Sequence, residues 1–192
     1  VRDIGNNRVI KIPNRMDGSH QFVGGWGIHI AEMKNKHKPL LETAGDREYC
    51  VPHVLRLAAR YPALHEVLAR PQAMPGLCFT QDRVRTLRDV IPESTPTEIH
   101  NYLDATAKIY QLHWRHGIHD CIWFFLVNNA IDAHGNVVYL DFGETMYDTY
   151  RVAKNVAQRE WETKQILVKD LSPEHQEYYF QAMKDSLSLI HI

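Results

Sequence analysis

The chain has 192 residues, of which 44% are hydrophobic and 23% charged, and its 22 basic side chains nearly balance its 23 acidic ones. A chain of this length can bury a hydrophobic core without disulfide bridges or a structural metal. The near-neutral charge excludes a general electrostatic attraction for nucleic acid. The longest unbroken apolar run, residues 121–127, is far too short to span a bilayer, which excludes a transmembrane segment in this stretch.

The three cysteines indicate a reducing compartment. Cys50, Cys78 and Cys121 are widely spaced and odd in number, so they do not form the framework of a disulfide-rich secreted domain. We therefore expect a cytoplasmic protein.

Both ends of the chain carry signs of incomplete or foreign sequence. It begins at Val1, without an initiator methionine or a signal sequence, and we expect a truncated N-terminus. Residues 187–192 match the translated mosaic end used in transposon-based sequencing libraries, so we expect a library artefact there. The alternative, a genuine apolar tail, stays open.

The N-terminal part predicts a small sheet and one helix. Residues 1–13 form two strand-like pieces around a turn at Gly5, which predicts a β-hairpin. Residues 28–43 predict a helix that ends before Gly45. In residues 50–71 the apolar pattern does not separate strand from helix. Prolines and a glycine at 71–76 then predict a boundary near residue 78, between an N-terminal lobe (1–78) and a C-terminal lobe (79–186).

The C-terminal part predicts helices around one hairpin. Thr95 and Glu98 form a capping box before a run of apolar residues at helical spacing, and Gly117 ends that helix. Two apolar segments separated by polar turn residues predict a hairpin, and two later segments predict helices. The predicted bounds are 122–127 and 137–140 for the strands, 128–136 for the turn, and 151–168 and 173–185 for the helices.

The most informative stretch is residues 112–144, which contain a helix, a Gly-Ile turn, His119-Asp120, two apolar segments and Asp141-Phe142-Gly143. This order resembles the catalytic core of the protein-kinase-like superfamily, in which a catalytic aspartate precedes a hairpin that ends in a metal-binding DFG. Lys11, in the segment VIKIP, stands where the family has a strand lysine. The resemblance implies an α+β, bilobal protein-kinase-like fold, with a small antiparallel sheet and a helix in the first lobe.

The resemblance also implies roles for single residues and a requirement for ATP and Mg²⁺. Asp141 would hold Mg²⁺ through oxygen ligands, and Asp120 would accept or orient the proton of the attacking hydroxyl. Lys11 would attract the α and β phosphates of the nucleotide as a point charge. An acidic partner for Lys11 is expected from the following helix, where Glu32 is better placed than Glu42.

Two departures from the family pattern bear on activity. The family's metal-binding asparagine stands at the fifth position after the catalytic aspartate, and Phe125 occupies that position here. Asn128 or Asn129 could replace it only if the loop is rearranged, and Asn128 is our candidate for a second metal ligand. The arginine that the family places between the histidine and the aspartate is absent as well.

The length of the segment after Asp141 indicates which class of substrate to expect. A helix is predicted within about a dozen residues, so there is little room for the activation segment of a protein kinase. This short segment, and the Asp120-Cys121 pair before apolar residues, make the chain similar to the lipopolysaccharide Kdo and heptose kinases and to small-molecule phosphotransferases. We therefore expect a kinase that acts on a hydroxyl of a sugar, lipopolysaccharide core or other small acceptor, with nucleotide as its other partner and peripheral contact at the inner membrane as an option.

Three alternatives remain open at this point. Because Phe125 replaces the asparagine, the chain could be a pseudokinase-type binding module that has lost turnover. A divergent protein serine/threonine kinase is disfavoured by the short segment after Asp141. A zinc site formed by His113, His116 and His119 is the third, although Gly117 interrupts the helix between them.

Overall fold

The computed structural model describes residues 1–12, 51–75, 78–120, 125–142, 145–147, 149–163, 168 and 170–187. The predicted helix at 28–43, with Glu32 and Glu42, lies outside these residues, and so do positions 188–192 of the suspected artefact. The described residues form helices and small antiparallel sheets, which confirms the α+β class. Within them, no helix is both long and apolar enough to cross a membrane.

A four-stranded antiparallel sheet forms the N-terminal part, and its strands are β1 (Arg2–Gly5), β2 (Arg8–Lys11), β3 (Gln72–Ala73) and β4 (Phe79–Asp82). Their order in the sheet is β1-β2-β4-β3. The predicted hairpin is confirmed, because β1 pairs with β2. Its turn residues Asn6 and Asn7 have φ angles of 52° and 56°, a left-handed conformation that asparagine tolerates better than most residues.

The segment at 50–71, which the sequence left undecided, is helical. Residues 51–60 form α1 and Pro62–Val67 form α2, with proline at the first position of α2. Ala69 and Arg70 then have φ angles of 57° and 49°, and this left-handed pair turns the chain into β3. Gln81 of β4 donates from Nε2 to the carbonyl of Leu68 at 2.8 Å, so the helix end is tied to the sheet.

The sheet extends past the boundary predicted at residue 78. β4 begins at Phe79 and pairs along its length with β2. The chain then passes through β5 (Arg85–Thr86), which pairs with β7 (Asn129–Ile131) of the C-terminal part. β4 and β5 therefore connect the N-terminal sheet directly to the hairpin that precedes Asp141.

The long predicted helix is confirmed. A short helix α3 (Leu87–Val90) and a 3₁₀ turn (Ile91–Glu93) lead into α4 (Pro96–Arg115). Its capping box is complete, since Glu98 N donates to Thr95 Oγ1 at 3.3 Å and Thr95 N donates to the Glu98 carboxylate at 2.8 Å. Gly117, at φ 73°, follows the end of α4. The buried face of α4 is the centre of the main core.

The strand predicted at 122–127 is wrong for the part that the structure describes. Residues Phe125–Asn128 form one helical turn, α5, and the hairpin consists of β7 and β8 (Val137–Tyr139). Asn129 Nδ2 donates to the carbonyl of Phe125 at 3.0 Å and closes the turn. An apolar run without alternation does not distinguish a buried turn of helix from a buried strand, and here tertiary contacts decide.

The single helix predicted at 151–168 is also wrong. The structure has α6 (Thr149–Ala157) and α7 (Glu160–Thr163), and Val168 lies in a bend. Arg159, at φ 49°, separates the two helices. The last predicted helix is confirmed as α8 (Pro173–Leu187), which packs against α4.

Candidate functional site

The structure brings together Lys11 and Asp141, which are far apart in the sequence. Lys11 is the last residue of β2, and its Nζ donates to the carbonyl of Leu140 at 2.7 Å. The same Nζ lies 3.6 Å from Oδ1 of Asp141. The lysine side chain is 17% exposed and the aspartate side chain 40% exposed. The ammonium is therefore held at a partly open position beside a carboxylate that solvent and ligands can reach.

The backbone on both sides of Asp141 is held by hydrogen bonds. Leu140 N donates to the carbonyl of Asn128 at 2.7 Å. On the other side, Thr145 Oγ1 donates to the carbonyl of Phe142 at 2.7 Å. Phe142 itself is completely buried. Since the flanking residues are fixed, the direction of the Asp141 side chain is restricted by its backbone.

An aromatic contact joins this segment to the N-terminal sheet. Phe142 stacks on Phe79 of β4, with ring centroids 4.4 Å apart and planes 28° apart. The ammonium of Lys11 lies 6.0 Å from the centroid of the Phe79 ring. Phe79 pairs with Lys11 in the β2–β4 ladder, so the two residues share the sheet face that meets Asp141.

Asp120 is close to this segment through its backbone. It ends the strand β6 (Ile118–Asp120), which pairs with β9 (Thr145–Tyr147), and Asp120 is the partner of Thr145 in that ladder. The position of the Asp120 carboxylate lies outside the described part of the structure. Its neighbour His119 is buried, and its Nε2 lies 2.9 Å from Nδ2 of Asn155 in α6. β6 is thereby anchored to α6 as well as to β9.

The structure describes the surroundings of Asn128 and Asn129, which the sequence left as alternatives. Asn129 is fully buried, and its amide nitrogen is used by the carbonyl of Phe125. Asn128 is 2% exposed, and its Nδ2 has no hydrogen-bond partner. Its carbonyl accepts from Leu140, the residue before Asp141. The side-chain oxygen Oδ1 of Asn129 is also buried without a hydrogen-bond partner, so each asparagine has one unsatisfied atom, a nitrogen in Asn128 and an oxygen in Asn129.

Asp141 and the two asparagines carry oxygen atoms that could bind a hard cation, and Lys11 carries a positive charge that could attract a phosphate. A carboxylate and an amide oxygen are oxygen ligands of the kind that Mg²⁺ prefers. The unpartnered atom of Asn128 is a nitrogen donor, so a hydrogen-bond acceptor such as a phosphate oxygen would satisfy it, whereas a cation would not. Phe125, by contrast, is 1% exposed and packs against Tyr179 at 5.1 Å between ring centroids, so it has a core role.

The three histidines of the zinc alternative have separate surroundings. His113 is buried edge-on against Tyr139, 4.9 Å between centroids, and neither of its ring nitrogens has a hydrogen-bond partner. Burial lowers the pKa of His113 to about 3, with a smaller contribution from His116. His116 packs against Tyr61, and His119 contacts Asn155. In the described part of the chain, no three His, Cys, Asp or Glu side chains are arranged to hold a metal ion.

Sequence reasoning missed three residues that support the site, namely Phe79, Thr145 and Asn155. Phe79 and Thr145 contact the residue after Asp141, and Asn155 contacts the residue before Asp120. None of them belongs to a motif, and each is brought to the site by tertiary structure. Only Phe79 could have been identified from the sequence. Its identification would have required the register of β2 against β4, which places Phe79 opposite Lys11.

Comparison of the chain with models of known protein families gives no match, and comparison with curated proteins gives none either. Any functional proposal for this chain therefore depends on its own residues and contacts.

Proposed function

We propose that this chain is an ATP- and Mg²⁺-dependent phosphotransferase of the protein-kinase-like type, acting on a hydroxyl of a sugar, glycolipid or other small acceptor. The observation that carries the proposal is the contact between Lys11 and Asp141. The sequence resemblance assigns Lys11 to phosphate binding and Asp141 to metal binding, and this assignment does not depend on the contact between them. The two residues are oppositely charged, and their side chains lie 3.6 Å apart, as the proposed roles require.

The arrangement of strands around the two residues supports a bilobal kinase-like fold. The lysine strand β2 lies inside an antiparallel sheet, and a hairpin of β7 and β8 leads into Asp141. β6, which ends in Asp120, pairs with β9, which follows Asp141. In this proposal the cleft lies between the sheet of β1–β4 and the mainly helical part.

Each residue has a role that its chemistry permits. Lys11 supplies a positive point charge for the phosphates, and nucleotide binding would redirect its Nζ from the Leu140 carbonyl. Asp141 and Asn128 would hold Mg²⁺, which neutralises the charge that develops on the phosphoryl oxygens. Asp120 would orient the acceptor hydroxyl and take its proton. Glu32, proposed as the partner of Lys11, lies outside the described residues.

The short connection after Asp141 favours a small acceptor over a protein substrate. β9 begins at Thr145 and α6 begins at Thr149, which leaves little chain to form a peptide-docking segment. A lipid-linked sugar would bring the protein to the inner face of a membrane, and peripheral contact there is part of the proposal, with the cytoplasm as the compartment.

The experiment compares the wild-type chain with Asp141→Asn, Asp120→Asn and Asn128→Ala. ATP binding is measured by calorimetry with and without Mg²⁺, and turnover is measured as formation of ADP. Asp141→Asn should lose the Mg²⁺-dependent part of nucleotide binding. Asp120→Asn should keep binding and lose roughly 10²- to 10⁴-fold in turnover, the range for a general base. Asp170→Asn, which makes the same change in an exposed turn, is the matched control.

Two outcomes would contradict the proposal in different ways. If the wild-type chain binds no nucleotide, the phosphotransferase is ruled out. If it binds nucleotide and neither wild type nor any variant shows turnover, the binding-module alternative is correct. Asn128→Ala tests the metal site itself. Loss of a metal ligand should raise the Mg²⁺ concentration that is needed for half-maximal nucleotide binding.

A further inference from the structure

We propose that Thr145 is a positioning residue, whose hydroxyl fixes the segment of Asp141 relative to the segment of Asp120. The inference rests on the proposed function, because it concerns the two carboxylates to which that function assigns metal binding and proton transfer. Thr145 itself contacts neither substrate nor metal in this proposal, and it acts through the backbone.

The side chain of Thr145 holds the residue that follows Asp141. Thr145 is 3% exposed, and its Oγ1 donates to the carbonyl of Phe142 at 2.7 Å. Phe142 is completely buried and stacks on Phe79. The hydrogen bond thus ends on a residue that cannot turn without disturbing the core. This restricts the chain immediately after Asp141.

The backbone of the same residue holds Asp120. Thr145 and Asp120 are partners in the antiparallel β6–β9 ladder, with His119 opposite Met146 and Ile118 opposite Tyr147. One residue therefore connects the segments of both carboxylates, its side chain to one and its backbone to the other. β6 is also tied to α6 through His119 and Asn155. Loss of the hydroxyl bond should therefore displace the Asp141 segment rather than Asp120.

Packing alone does not require a hydroxyl at this position. Valine has nearly the shape of threonine and is equally suited to a buried strand. Its introduction would leave the carbonyl of Phe142 without the Thr145 donor, in a buried place where an unpaired acceptor is costly. The hydroxyl is thus the feature that distinguishes a positioning role from simple filling of space.

The test compares Thr145→Val, which removes the hydroxyl, with Thr145→Ser, which keeps it and loses the methyl group. Thr145→Ala is a second variant without the hydroxyl, should the valine variant fold poorly. For Mg²⁺-dependent ATP turnover, the valine and alanine variants should lose roughly 10- to 100-fold in kcat, the cost of a small misplacement of reacting groups. KM for ATP should stay within about twofold, and the serine variant should keep wild-type kcat.

Amide hydrogen exchange of residues 118–120, 140–142 and 145–147 is a readout that does not need activity. Exchange should be faster in the valine and alanine variants at 140–142, and unchanged in the serine variant. Equal exchange and equal kcat in all variants, or equal losses in serine and valine, would overturn the positioning role. If the wild-type chain shows no ATP binding or turnover, the proposed function fails by itself, and the exchange data alone decide whether Thr145 fixes the Asp141 segment.

Discussion

A histidine buried in the core predicts a loss of stability in mild acid. His113 is 1% exposed, and both of its ring nitrogens lack hydrogen-bond partners. Burial, the larger cause, and His116 together lower the pKa of His113 from 6.5 to about 3. The ring packs edge-on against Tyr139, the last residue of β8, close to Asp141 in the chain. Its protonation therefore bears on the element that carries the site.

The sign of the change in stability follows from the pH at which each state takes up the proton. The unfolded chain takes up a proton at His113 near pH 6.5, whereas the folded chain takes it up only near pH 3. Stability is therefore complete above pH 6.5 and falls as the pH is lowered towards 3, because the unfolded state binds more protons. At pH 5 the expected loss from this one group is about 2 kcal/mol, and at pH 3 it is about 4 kcal/mol.

The assay is urea unfolding at pH 7 and pH 5 of the wild type and of His113→Leu, which removes the titrating group. The variant will have its own stability at pH 7, so only the difference between the two pH values is compared. That difference should be about 2 kcal/mol smaller in His113→Leu. His134→Gln, a change in an exposed turn, should keep the wild-type difference. An equal pH-dependent loss in wild type and His113→Leu would refute the buried, neutral histidine.

Three further changes test other parts of the structure by thermal and urea unfolding. Thr95→Ala removes the cap of α4 and should cost about 1 kcal/mol, with little further loss when Glu98 is also changed to alanine; additive losses would contradict the capping box. Asp82→Asn should destabilise the β2–β4 pair, since its buried carboxylate binds two arginines, while an unchanged melting temperature would argue against that pairing. Phe125→Asn restores the asparagine that the kinase-like family has at this position. It should lower the free energy of unfolding by about 3 kcal/mol or more without raising turnover. A gain in turnover would contradict the role of Asn128.

The sequence predicted well those elements whose signals are local. The capping box at Thr95, with proline at the next position, located the start of α4, and the Asn6-Asn7 turn located the first hairpin. These signals depend on backbone groups within a few residues, so their physics is contained in the sequence. The motif order also predicted that Lys11 and Asp141 lie close together, and their side chains are 3.6 Å apart.

Elements decided by distant contacts were not predictable in the same way. The break at Arg159 has a left-handed φ without glycine or asparagine to announce it. The turn of α5 depends on Asn129, which bonds back to Phe125, and on the contact between Phe125 and Tyr179. Tyr179 lies in α8, and no local pattern connects it to residue 125. The contacts of Thr145 and Phe79 with Phe142 are of the same kind, since each needs the chain to be folded.

The helical turn α5, which the sequence did not predict, bears on the replacement of the family's asparagine by Phe125. Asn128 stands three residues further from Asp120 than the family's asparagine stands from its aspartate. Four residues advance about 6 Å along a helix and about 13 Å along a strand, so coiling residues 125–128 takes up much of the extra chain. Asn128 then lies directly before β7, with its carbonyl bonded to Leu140 and its buried side-chain nitrogen unpaired. A difference in spacing along the sequence is therefore not by itself evidence that a metal ligand is missing.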